Sequence, residues 1–171
     1  MADFDPAFEI MIRNEGGFRL TDIPGDRGGQ TYAGIARNFH SSWPGWVHID
    51  AGRLDSPDLS KQVRDFYKTQ FWDRVSGDAI REQKIAEAIF DFAVNAGVGT
   101  SAKLAQLAVD VVPDGRIGAK TLEKLNAQSP AAFVLEFAVL KMARYAEICN
   151  RDRTQSKFLL GWLNRTIKGA V

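Results

Sequence analysis

Ile85, Ala88, Ile89, Phe92, Ala93 and Ala96 fall on one face of a 3.6-residue spiral, and Gly97 follows where a helix would stop. A strand would scatter these residues over both faces. The same period recurs in Leu59, Val63, Phe66, Tyr67 and Phe71, in Leu104, Leu107, Ala108 and Val111, and in Thr121, Leu122 and Leu125. It returns in Phe133, Phe137, Leu140 and Tyr145 and again in Phe158, Leu159, Trp162 and Leu163. Ser56-Pro57 and Ser129-Pro130 each place a capping residue before a proline suited to a first helical turn, and Asp5-Pro6 does the same near the N-terminus. Sustained two-residue alternation is nearly absent. The pattern predicts about eight helices and an all-α domain, α+β at most, with a small β-hairpin.

The hairpin belongs to residues 18–30, where Pro24, Gly25, Gly28 and Gly29 supply turn chemistry. A short helix is expected over 31–39, then a loop over 41–52 carrying Trp43, Pro44 and Trp46. A boundary near Gly97-Val98-Gly99 divides the chain into 1–96 and 97–171, packed as one globular unit.

Composition excludes more than it selects. Hydrophobic residues at 45% and charged residues at 25% suit one folded domain, and a net charge of +1 gives no footprint for nucleic acid. Cys149 is the single cysteine, so no intramolecular disulfide forms, as suits folding in a reducing compartment. His40 and His48 have no partner at metal-ligand spacing, and residues 25–31 lack the lysine of a phosphate-binding loop, so no metal or other cofactor is expected. No apolar run is long enough to span a membrane, and Met-Ala-Asp-Phe-Asp-Pro has no basic, apolar leader. The expectation is synthesis in the cytoplasm without a signal peptide. Residues 141–168 carry seven Lys and Arg against two Asp and Glu, an excess of five that suits an anionic surface or a solvated helix face.

Glu15 is the candidate reactive group. Phe8, Met11, Ile12 and Glu15 follow the spacing i, i+3, i+4, i+7, so the carboxylate continues the inward stripe of the first helix before Gly16-Gly17 stops it. Partial desolvation and the negative end of the helix dipole both disfavour the charged form, which is what a general acid near neutral pH requires. Asp22, Asp26 and Thr31 follow in the glycine-rich loop. Glycosidic hydrolysis needs a proton donor on the leaving oxygen and, opposite it, a group that stabilises the sugar cation or positions water. Trp43, Trp46 and Tyr32 offer flat apolar faces to sugar rings or lids over a core. Asn95, on the inward side of its helix, would bond backbone or a substrate N-acetyl group.

The run Asn14-Glu15-Gly16-Gly17-Phe18, followed by Asp26-Arg27-Gly28-Gly29-Gln30-Thr31-Tyr32-Ala33-Gly34-Ile35, resembles the signature of glycoside hydrolase family 108. Those proteins are N-acetylmuramidases, found as phage endolysins and secretion-linked bacterial muramidases. Phe90-Asp91-Phe92-Ala93-Val94-Asn95-Ala96-Gly97 and Asp114-Gly115-Arg116-Ile117-Gly118-Ala119-Lys120-Thr121-Leu122 are similar to the predicted peptidoglycan-binding segment that completes such chains. The resemblance implies a lysozyme-like helical fold, peptidoglycan glycan strands as substrate and Glu15 as proton donor. It also implies a monomer released through a holin or carried by a dedicated export path. The arrangement is similar to the Glu-Asp-Thr triad of small phage lysozymes, which would make Asp26 the second carboxylate and Thr31 a holder of water. Asp22 is the rival carboxylate and otherwise a substrate-binding residue. Arg27 stands where the family pattern has proline and offers Asp26 an ion-pair partner. Two other functions remain open: a lytic transglycosylase on the same bond, and a non-catalytic peptidoglycan-binding or secretion-accessory protein.

Overall fold

The computed structural model of the chain describes residues 1–23 and 26–170. The Pro24-Gly25 turn of the predicted hairpin lies outside them. Among the described residues there are eight α-helices and one three-stranded antiparallel sheet, so the chain is mostly helical as expected. Contacts divide it into two compact units: Phe4–Trp72, and Met1–Asp3 with Asp73–Val171. The division falls upstream of the Gly97 boundary expected from sequence.

In the unit Phe4–Trp72, α1 (Phe4–Asn14) buries Phe4, Ala7, Phe8, Met11 and Ile12. Pro6 sits inside its first turn, so the helix begins before the expected Asp5-Pro6 start. Strands β1 (Leu20–Thr21), β2 (Thr31–Tyr32) and β3 (Ile35–Ala36) follow. Leu20 pairs with Tyr32, and Tyr32 with Ile35. The expected helix over 31–39 is therefore two strands joined by a two-residue turn. Ala33 (φ +50°) and Gly34 (φ +79°) both take left-handed backbone there, the requirement of the tightest hairpins. Trp46–Asp50 forms a short α2 inside the expected loop. Helix α3 (Pro57–Tyr67) opens on Ser56-Pro57 and continues through a π-helical turn, Lys68–Trp72. Phe8 and Tyr67 approach at 6.1 Å and Phe4 and Trp72 at 5.7 Å, so the core joining α1 to α3 is largely aromatic. Arg64 covers it, with its guanidinium 4.8 Å from the Phe8 ring and ion-paired to Asp5 and Glu9.

The other unit comprises two 3-10 turns (Asp73–Val75 and Gly77–Ala79), α4 (Gln83–Ala96), α5 (Val98–Ala108), α6 (Ala119–Leu125), α7 (Pro130–Arg151) and α8 (Ser156–Ala170). The N-terminus joins it through Ala2 N–H to Ile80 O (2.7 Å) and Asp3 N–H to Gln83 Oε1 (2.7 Å). Gly97 at φ +89° ends α4, as its position predicted. The buried Ser101 hydroxyl donates to Ile89 O at 2.6 Å and holds α5 against α4. Cys149 is a buried free thiol. No helix among the described residues is long and apolar enough to cross a membrane.

Candidate active site

Glu15 directly follows α1. Its N–H still donates to Met11 O at 3.0 Å, while Gly17 N–H reaches Ile12 O (2.8 Å) and Gly16 N–H reaches Arg13 O (3.3 Å). These crossed bonds form a Schellman ending and satisfy carbonyls that the helix leaves open. Gly16 (φ +90°) and Gly17 (φ +80°) supply the left-handed backbone the ending needs. The local sequence thus fixes Glu15 at a rigid helix terminus, half-buried rather than out in water.

Gly34, in the β2–β3 turn, explains what Glu15 faces. A Cβ built there would lie 3.5 Å from Glu15 Oε2, 3.5 Å from Glu15 Cβ and 2.5 Å from the Tyr67 hydroxyl oxygen. The turn can approach the phenol this closely only because it has no side chain at that point, and the acid lies at contact distance beside it. Tyr67, buried, donates its hydroxyl proton to Ala33 O at 2.8 Å and so ties the turn to α3. The sequence placed Tyr67 in a core stripe. Nothing in helical spacing signalled that its hydroxyl would reach the hairpin.

Asp26 and Thr31 form a second cluster around Gly28. Asp26 Oδ1 accepts the Gly28 N–H at 3.0 Å, and the Thr31 hydroxyl donates to Gly29 O at 3.2 Å. Both side-chain oxygens lie within 4 Å of the site a Gly28 Cβ would occupy, at 3.7 and 3.8 Å. Asp26 is exposed and Thr31 half-buried. Among the described residues Arg27 makes no ion pair with Asp26; its carbonyl accepts from Asn38 Nδ2 at 2.9 Å. Asp22 is exposed beyond β1. Three residues of chain carry Thr31 to Gly34, at most about 10 Å, so the sheet links the two clusters.

The aromatic candidates take other positions. Tyr32 is 2% exposed, with its hydroxyl 3.4 Å from Leu54 O, and burial pushes its phenol pKa up. Trp43 and Trp46 are 7% and 3% exposed and meet edge to face at 5.2 Å. Trp46 donates its indole N–H to His40 O at 2.7 Å and lies 4.8 Å below the Arg37 guanidinium, which also pairs with Asp50. In the structure these faces are packed against protein, one of the two roles the sequence leaves open to them. The expectation for Asn95 changes. The buried arc of α4 runs through Ile85, Ala86, Ile89, Phe90, Phe92 and Ala93, and at 100° per residue Asn95 lies about 140° from its centre, exposed.

A half-buried carboxyl on a fixed helix end, beside a turn bare of side chain at Gly34, with a second carboxylate and a hydroxyl on the adjoining hairpin region, has the parts that acid-assisted glycosidic chemistry uses. Residues 8–97 match the family model described as glycosyl hydrolase 108. The chain belongs to that family. Residues 100–167 match the model described as a predicted peptidoglycan domain. A solved structure of SagA from Brucella abortus is 27% identical, with a TM-score of 0.71 over 98% of this chain and 91% of that one. No match appears among curated proteins. The fold is accordingly lysozyme-like and mostly helical, and membership of family 108, with the adjoining peptidoglycan domain, supports a glycoside hydrolase directed at peptidoglycan. Among the described residues no cluster of His, Cys, Asp and Glu suits a metal ion.

Proposed function

We propose that this family 108 enzyme hydrolyses the β-1,4 bond between N-acetylmuramic acid and N-acetylglucosamine, with Glu15 as general acid. The observation that carries the reading is Glu15 itself: half-buried, anchored by the Schellman ending, with Oε2 turned toward the side-chain-free face of Gly34. A rigid helix end fixes where the proton of its carboxyl is delivered. Glu15 transfers that proton to the bridging oxygen as the glycosidic bond breaks. Asp26 Oδ1 is occupied by Gly28 N–H, so Oδ2 is the oxygen that faces the developing sugar cation or a water held with the Thr31 hydroxyl. Water adds to the anomeric carbon and its proton leaves to the carboxylate. Asp22, on the same loop, contacts substrate from solvent.

The enzyme acts on the cell wall as a monomer. Release through a holin or a dedicated export path brings it there. Residues 1–96 carry the chemistry and 97–171 hold the peptidoglycan.

Glu15→Gln tests the acid. The variant is expected to stop reducing-sugar release from purified walls while melting at nearly the wild-type temperature. Full activity would remove Glu15 from the scheme. Mass spectrometry of wild-type products is expected to show ordinary reducing muramyl ends; ends lighter by one water would reassign the enzyme as a lytic transglycosylase.

A further inference from the structure

A recess of about 510 Å3 opens between α3 and the segment that follows β3, and Glu15, Asp26 and Thr31 are not among its lining residues. Its volume falls within the ~300–1,000 Å3 typical of small-molecule sites. One wall is Gln62, Asp65 and Phe66 of α3, which share one side of the helix, with Thr69 of the π-helical turn that follows. The opposite wall includes Phe39 and Trp43.

Two features of this recess have no structural explanation. The first is Phe39, 69% exposed although it is a large apolar side chain. The second is the Gln62 amide. Its Oε1 is buried without a hydrogen-bond partner, and among the described residues its Nε2 makes no hydrogen bond. A buried carbonyl oxygen left unpaired is costly, and natural structures rarely tolerate one. A rotation of the terminal torsion exchanges Oε1 and Nε2, so the group can offer either atom to a ligand.

Oε1 is shut off from solvent, so the Gln62 amide turns one atom at a time to the recess, a donor or after rotation an acceptor, and a ligand that carries both can meet either. A secondary amide has that pair. The aromatic ring at the mouth calls for a ligand with an apolar face, and Asp65 and Thr69 call for hydroxyls at its edge. We infer that this recess is a second saccharide site, which takes an N-acetylated amino sugar by pairing its acetamido group with Gln62 and stacking its ring on Phe39. The inference rests on the peptidoglycan-directed reading only for the choice of sugar. Such a site would keep the enzyme on the glycan between cleavages without touching the reacting bond.

The test is titration of the full chain with N,N′-diacetylchitobiose, followed by amide chemical shifts, with the deacetylated disaccharide in parallel. The expected result is saturable shifts at Phe39, Gln62 and Thr69, absent with the deacetylated sugar. Phe39→Ala and Gln62→Leu should each weaken binding roughly tenfold, while Glu15→Gln leaves the shifts at these three residues unchanged. Thermal melts confirm that both variants fold, and the exposure of Phe39 makes its alanine variant the safer one. Shifts confined to the neighbourhood of Glu15 and Gly34 would overturn the proposal, as would equal binding of the deacetylated sugar or unchanged affinity in both recess variants. Wild-type release of reducing sugar from walls is read separately. Failure of the recess therefore leaves the hydrolase reading standing, and failure of Glu15→Gln to matter leaves the recess standing.

Discussion

The two units solve the same problem, holding irregular backbone in place, by different means. In Phe4–Trp72 the irregular part is the hairpin region, and it is held by close approach. Gly34 is bare where Glu15 and Tyr67 come near, and one phenol hydroxyl ties Ala33 to α3. In the unit built on α4–α8 the irregular part is the loop around Asp114, and it is held by a buried amide. Gln106, 1% exposed, donates from Nε2 to Asp114 Oδ1 (2.7 Å) and Arg116 O (3.0 Å), and accepts Gly115 N–H at 2.8 Å. Asp114 also accepts from Arg116 N–H, and the hydrogen bond from Gln106 is the main reason its carboxyl lies below the usual carboxylate range. The first device brings a bare turn against an acid, whereas the second gathers hydrogen bonds around one buried amide.

The largest effect should come from filling the bare position at Gly34. Gly34→Ala adds a methyl that must displace the Tyr67 hydroxyl, at a backbone angle that L side chains rarely adopt. Wall hydrolysis is expected to fall by more than about 100-fold, with a stability loss of ~2–3 kcal/mol. An alanine variant with wild-type turnover would break the comparison. On the other side, Gln106→Ala strands Gly115 N–H and unties the Asp114 loop. A loss of ~2 kcal/mol, or roughly 6 °C in Tm, is expected, while turnover of a soluble glycan below the melt stays unchanged.

A smaller effect is expected from Tyr67→Phe, which keeps the ring but frees the Ala33 carbonyl. Activity should drop by about tenfold and stability by ~1 kcal/mol. A stability loss with no change in kcat would mean the phenol only packs.

The smallest effect concerns Lys141 of α7, 8% exposed, with its ammonium 5.3 Å from the Phe137 ring and 5.6 Å from that of Phe92. Desolvation lowers its pKa, the Asp91 carboxylate opposes that shift and Arg165 adds to it. A lysine whose folded pKa lies below its unfolded value near 10.4 costs stability while protonated, and the cost fades as pH rises through that interval. Lys141→Met should therefore raise Tm by about 2 °C at pH 7, with the gain shrinking toward pH 10. A gain that grows with pH would reverse the sign of the argument.

How much of this was legible in the sequence varies with the range of the interaction. The helices starting at Ser56-Pro57 and Ser129-Pro130, and the stop at Gly97, were readable because caps and periodicity act within a few residues. Residues 31–39 were misread as a helix. Four β residues in two pairs carry too short a pattern, and the left-handed Ala33 is a conformation no local rule assigns to alanine. Asn95 was misplaced because the buried arc of α4 is set by what packs on it, which shifts the arc toward Phe90. For Trp43 and Trp46 the sequence leaves sugar stacking and a core lid both open, because loop position does not fix exposure; in the structure their rings pack on each other.

The sequence by itself determined the helical plan and the position of Glu15 at the tail of α1, since a Gly-Gly stop after an apolar stripe depends only on neighbours along the chain. It also carried the motif that marks the family. Only the tertiary structure decided why Gly34 belongs to that motif. The reason is steric: a hairpin, a helix end and a phenol from α3 converge on one point, and three segments distant in sequence leave no local trace of a meeting that excludes a single methyl group.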